Sequence, residues 1–289
     1  MWEREKSTWP NHELSRFVEA AGSRWHVQQM GSGAPLLLVH GTGASTHSWR
    51  DILPLLGKHY SVLAADLPGH GFTESAGTTR SSIEGMSAAL SMLLGALRFN
   101  PLYCVGHSAG AVILCRMALD RRIDPRVIIS LNGAFVPLGG PAGVLFSPLA
   151  KLLARSSLLP RLLARRAGNP ASVARVLDGT GSKVDARGLE LYTRLVNNPK
   201  HLQGALGMMG NWDLRTFARD LPRLTTPLAL VAAENDRTVA PHQAFEIQQR
   251  LANASVCSLS GVGHLAHEEQ PVLVSEKILS ICRAHAGTP

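Results

Sequence analysis

The chain has 289 residues, 45% of them hydrophobic, and a formal net charge of +8 at pH 7. That length supports one large domain or two modest ones, with enough buried surface to need no disulfide framework. The four cysteines, Cys104, Cys115, Cys257 and Cys282, sit in apolar stretches without CxxC spacing, which reads as free thiols and argues against a zinc site. The opening MWEREKSTWPNHEL has no apolar run of the secretory kind, and no run of about 18–20 apolar residues would span a bilayer. A cytoplasmic protein is expected. The excess positive charge points to an acidic partner: a lipid surface, a nucleic acid or an anionic small molecule.

Residues 16–30 read as two short strands around Ala21-Gly22-Ser23. PLLLVHG, from Pro35 to Gly41, is an apolar run ending in glycine, the pattern of a buried strand. Trp49 to Leu56 reads as a short helix, and YSVLAAD, Tyr60 to Asp66, as a second buried strand. Apolar residues at 83, 86, 90, 93, 94 and 97 give Ser82 to Leu97 helical spacing. PLYCVGHS, Pro101 to Ser108, is strand then turn; Ala109 to Leu119 is a helix; Arg126 to Ala134 is another strand.

From about Pro137 to Asp220 the pattern changes to helices broken by Pro and Gly. Strand character returns at Pro227 to Glu234, followed by a helix over 241–251, a strand from Ser255 to Ser260 and a final helix from about Pro271. Strands alternating with helices predict an α/β fold, a mostly parallel central sheet covered on both faces. The expected division is a core of 1–136 and 221–289, with 137–220 inserted between two strands as a helical cap.

Gly106-His107-Ser108-Ala109-Gly110 is G-x-S-x-G, placed after an apolar strand and opening a helix. That is the setting of a nucleophile elbow: a tight, strained turn with Ser108 at its apex, which needs the small residues Gly106 and Gly110. A serine hydroxyl requires a base. His264, in Gly261-Val262-Gly263-His264 directly after the last strand, is the candidate, with His267 as competitor; most of the twelve histidines read as surface or turn residues. The orienting acid should follow the preceding strand, where Asp236 is preferred over Glu234. An oxyanion hole needs backbone N–H groups, assigned to Ala109 and to Thr42 in the loop His40-Gly41-Thr42-Gly43. Serine rather than aspartate at the elbow argues against dehalogenase or epoxide-hydrolase chemistry. With no HExxH, Walker A or dinucleotide fingerprint, no metal and no cofactor is expected.

This combination resembles the α/β-hydrolase superfamily over nearly the whole chain. The strings WPNHELSRFV, HGTGASTHSWRDILPLL, DLPGHGFTES and NGAFVPLGG followed by LFSPLAKLLA resemble, more narrowly, the magnesium-chelatase accessory α/β-hydrolases of bacteriochlorophyll biosynthesis. The resemblance implies a role near magnesium insertion into protoporphyrin, without implying a defined reaction. Ser108, Asp236 and His264 fall on the superfamily's triad positions.

The expected function is hydrolysis of an ester or related acyl bond. The alternatives are a non-catalytic tetrapyrrole carrier or chelatase helper, or another superfamily hydrolase such as a C–C hydrolase or aminopeptidase. Residues 137–220 hold twelve Lys and Arg against five Asp and Glu, nearly all the net charge of the chain. An anionic substrate such as a tetrapyrrole fits a basic mouth. Lys151, Arg155, Arg161, Arg165 and Arg166 lie in an acid-free, leucine-rich stretch that is either a lid helix with a solvated basic face or a surface for anionic membrane or an acidic protein. Nucleic acid is not expected, because aromatic residues are few there.

Overall fold

The computed structural model describes residues 2–75, 81–136 and 168–287. An eight-stranded sheet runs β1 (Ser15–Ala20), β2 (Ser23–Met30), β3 (Pro35–Val39), β4 (Ser61–Ala65), β5 (Tyr103–His107), β6 (Val127–Leu131), β7 (Leu228–Ala233) and β8 (Ala254–Leu259), in the spatial order β1-β2-β4-β3-β5-β6-β7-β8. β1 pairs with β2, and β2 with β4, antiparallel; every other pairing is parallel. The first two strands meet at Ala21 and Gly22, both with positive φ, as the turn predicted there requires.

The described helices are α1 (Trp2–Glu5), α2 (Ile52–Leu56), α3 (Ile83–Leu97), α4 (Ala109–Leu119), α5 (Pro170–Gly179), α6 (Ala186–Val196), α7 (Pro199–Gly210), α8 (Leu214–Asp220), α9 (His242–Arg250), α10 (Ala266–Glu269) and α11 (Pro271–Ala284). The stop and start signals are local. Ser82 caps α3 by accepting from the Gly85 amide, and Asn169 and Asp185 do the same for α5 and α6.

The sheet is buried on both faces because the period of two along each strand feeds two cores. Leu37 and Val39 of β3 join α3 and α4 on one face; Leu36 and Leu38 join Trp49, α2 and α11 on the other. α5 to α8 lie in the chain between β6 and β7. α6 is tied to the N-terminal segment: Leu191 and Leu195 pack on buried Trp9, and Arg194 bonds the Glu5 carboxylate and the Thr8 hydroxyl. A second tie is Arg50, whose guanidinium reaches Glu268 at 2.5 Å and Asp185 at 3.2 Å, while Glu268 also accepts from the Tyr192 hydroxyl at 2.7 Å. Lys151, Arg155, Arg161, Arg165 and Arg166 lie outside the described residues, as do the predicted cap residues 137–167.

Candidate active site

In a parallel sheet the carboxyl ends of the strands share one edge, and a crevice opens where the strand order reverses. Here the chain runs β3 to β4 in one direction and β3's other neighbour is β5. The loops after β3, β5, β7 and β8 carry Thr42, Ser108, Asp236 and His264. The four residues singled out in the sequence therefore stand at one edge of the sheet.

Ser108 has φ 51° and ψ −117°, a conformation that L side chains rarely adopt. The strain is held from both sides. The Ser108 amide donates to the Leu131 carbonyl at 3.0 Å, and the Ser108 carbonyl accepts from Ala111 N–H at 3.2 Å. Close approach explains the elbow glycines. A Cβ on Gly106 would stand 2.4 Å from the Ala111 amide nitrogen, and one on Gly110 would stand 2.2 Å from the Val39 carbonyl oxygen. A Cβ on Gly41 would meet Ser108 Cβ at 3.0 Å, so this glycine lets the β3 loop lie against the elbow. Gly43 supplies φ +78° in the same loop. Ala109 opens α4, where its amide has no intrahelical acceptor. Neither this amide nor that of Thr42 makes a hydrogen bond among the described residues. Both amides are thus left without a protein acceptor among the described residues.

His264 Nδ1 and Asp236 Oδ2 are 2.7 Å apart, with the two side chains 7% and 1% exposed. The other Asp236 oxygen accepts from the amides of Thr238 at 2.7 Å and Val239 at 2.8 Å, which fixes the carboxylate in its loop. Glu234 is exposed. His267 is in α10, buried, with both ring nitrogens lacking a partner among the described residues. Burial brings its pKa down to about 3, so it is a neutral ring beside the site. The Ser108 side chain makes no hydrogen bond among the described residues.

Two residues not singled out hold the backbone of His264. Its carbonyl accepts from His107 Nε2 and from Asn132 Nδ2, each at 2.9 Å. Asn132 follows β6 with φ 49°, and its Oδ1 also accepts from the Ala233 amide at 2.8 Å. It joins the ends of β6 and β7 to the histidine loop. Burial, with the neighbouring His267 and His264 rings, keeps His107 well below the usual histidine range and hence neutral. The expectation that most histidines are surface or turn residues fails: His26, His40, His47, His70, His107, His201, His264 and His267 are buried. Some of these rings are bonded across the chain, whereas His267 has no partner on either nitrogen among the described residues and His47, His70 and His107 are bonded through one nitrogen. His26 bonds buried Asp66 at 2.8 Å and Ser15 at 3.0 Å. Burial alone would raise the Asp66 pKa, but the His26 ring and the amide of Phe72 hold it far below the carboxylate range.

This arrangement of strand, elbow, helix and acid–histidine pair defines a class. The chain belongs to the alpha/beta hydrolase family, whose family model matches residues 36–277. Within it, the chain is similar to the magnesium-chelatase 30 kDa subunit of Rhodobacter capsulatus, with 36% identity over 264 residues, 91% of this chain and 92% of that one. Among solved structures it is similar in fold to the epoxide hydrolase CorEH, with a TM-score of 0.78 at 20% identity, covering 93% of this chain and 98% of that one. It is likewise similar to a serine hydrolase involved in carbazole degradation, with a TM-score of 0.74 at 18% identity, covering 94% and 99%. Among the described residues no helix is long and apolar enough to cross a membrane.

Proposed function

We propose that the protein is a serine hydrolase that cleaves an ester or related acyl bond in magnesium-tetrapyrrole (bacteriochlorophyll) biosynthesis, as an accessory to magnesium chelatase. The observation that carries the chemistry is the 2.7 Å Asp236–His264 bond at the sheet edge that also carries strained Ser108. In this reading Ser108 Oγ attacks the acyl carbon as His264 Nε2 takes its proton. Asp236 stabilises the imidazolium and fixes the tautomer. The amides of Thr42 and Ala109 hold the oxyanion. His264 returns the proton to the leaving oxygen, and water, activated by the same ring, releases the acyl group from Ser108.

Residues 137–220 act as a cap over this edge, and their basic excess favours an anionic substrate such as a tetrapyrrole carboxylate ester. Contact with an anionic membrane surface or acidic protein through Lys151, Arg155, Arg161, Arg165 and Arg166 belongs to the same reading. The relative named as a magnesium-chelatase subunit favours a second reading, in which the same crevice carries a tetrapyrrole without cleaving it. A strain lacking the gene separates the two. Loss of bacteriochlorophyll that wild-type protein restores and Ser108→Ala does not is the result expected of the hydrolase. Full rescue by Ser108→Ala would leave the carrier.

A further inference from the structure

Helix α7 touches the crevice with one face. His201, Gly204 and Met208 are spaced by three and four residues and so form a single stripe. His201 Nδ1 accepts from the Gly71 amide at 3.0 Å, and its Nε2 donates to the Gly43 carbonyl at 3.1 Å. A nitrogen that accepts carries no proton, so the ring is neutral with its hydrogen on Nε2. The ring is 3% exposed, and burial lowers its pKa to about 4. Gly204 packs on the loop after β4, where an added Cβ would lie 2.1 Å from the Gly69 carbonyl oxygen. Fully buried Met208 accepts the Thr42 hydroxyl at its sulfur, at 3.4 Å.

The helix therefore grips two consecutive residues of the loop after β3. That loop needs gripping. Gly43 sits at φ +78° with open space around its Cα, a conformation glycine leaves freely. The loop's own ties are the Ala44 amide and the His40 ring, both on the Gly41 carbonyl. The Ala44 turn bond closes over Thr42 and Gly43, but no group of the loop bonds the Gly43 carbonyl, whose partner is the His201 ring.

We propose that His201 is the positioning residue of the oxyanion hole: by bridging Gly43 and Gly71 it holds the Thr42 amide in place, so the hole is complete only while α7 is docked. This rests on the serine-hydrolase reading, and one arm of the test does not.

Wild type, His201→Ala, His201→Gln and Gly204→Ala are compared by backbone hydrogen exchange over residues 40–46 and by turnover of an activated p-nitrophenyl ester. Gln keeps an acceptor and a donor side by side, as the ring does; Gly204→Ala lifts the helix from Gly69 with His201 intact. Expected are exchange about tenfold faster over 40–46 in His201→Ala and Gly204→Ala, from local opening of the loop, and partial restoration in His201→Gln. Expected too is a kcat lowered about 10- to 100-fold with KM within about threefold, somewhat less than outright loss of an oxyanion donor. Unchanged exchange over 40–46 in a folded His201→Ala protein overturns the proposal, as does a loss confined to KM. If wild type turns over no ester, the hydrolase reading falls by itself, and the exchange arm still decides whether His201 holds the loop.

Discussion

Asp236→Asn replaces one carboxylate oxygen with NH2 and should nearly abolish turnover. Asp236 Oδ1 accepts from the Thr238 and Val239 amides, so an asparagine keeps its oxygen there and turns its NH2 toward His264 Nδ1. A donor now faces the nitrogen that donated to Oδ2 at 2.7 Å. The ring relieves the clash by moving its proton to Nε2, the nitrogen that must accept the Ser108 proton. The same exchange in a serine protease lowers kcat by about 10⁴, or about 5.5 kcal/mol of transition-state stabilisation. The assay is the initial rate of p-nitrophenyl ester hydrolysis, with thermal unfolding as a check that the near-isosteric side chain is tolerated. A folded variant within about tenfold of wild type would refute the reasoning from tautomer, since that shift amounts to only about 1.4 kcal/mol.

Burial lowers the pKa of His40, His47, His70, His107, His201 and His267, so each is neutral in the folded protein and protonated in the unfolded chain below the ordinary histidine value of 6.5. Unfolding then takes up protons. The stability these rings allow is present above pH 6.5 and is lost as pH falls toward the folded values, each ring contributing up to about 1.4 kcal/mol per pH unit. Urea unfolding between pH 6.5 and 5 should show uptake of at least two protons; uptake below one contradicts this. Trp9→Ala removes an indole that is 1% exposed and packed on Phe72, Leu191 and Leu195, and should cost about 3–5 kcal/mol in urea unfolding. A cost below about 1 kcal/mol would mean the N-terminal segment does not brace α6. Gly110→Ala puts a Cβ 2.2 Å from the Val39 carbonyl oxygen, so α4 must move from β3. Melting should fall steeply with it, whereas a variant as stable as wild type would show that the elbow has room.

The sheet was legible because buried strands are short apolar runs with abrupt ends. The expected helix from Ala109 to Leu119 has those ends, and Ser82 capping α3 follows from a local side chain. Ser108, Asp236 and His264 could be picked out because the elbow needs glycines around the serine and each partner follows a strand. Short-range chemistry of this kind leaves a mark in the sequence. His201 left none: its partner Gly43 is 158 residues away, and nothing in Pro199–Gly210 announces it. Asn132 was missed for the same reason, since its partners Ala233, Gly263 and His264 come from two other loops. The buried histidines went unread because a polar ring looks like surface until the elements packed around it are known. Arg50, Glu268 and Tyr192 illustrate the same limit for charge: three separate segments supply one buried cluster.

The most direct measurement of the central claim is the site of attack by an activated-serine probe. Native protein is treated with a fluorophosphonate, digested and mapped by mass spectrometry. The expected result is a single phosphonyl adduct on Ser108, formed by folded protein and lost in His264→Ala. An unmodified Ser108 in folded protein, or labelling at the same rate in His264→Ala, would contradict a serine nucleophile activated by this histidine.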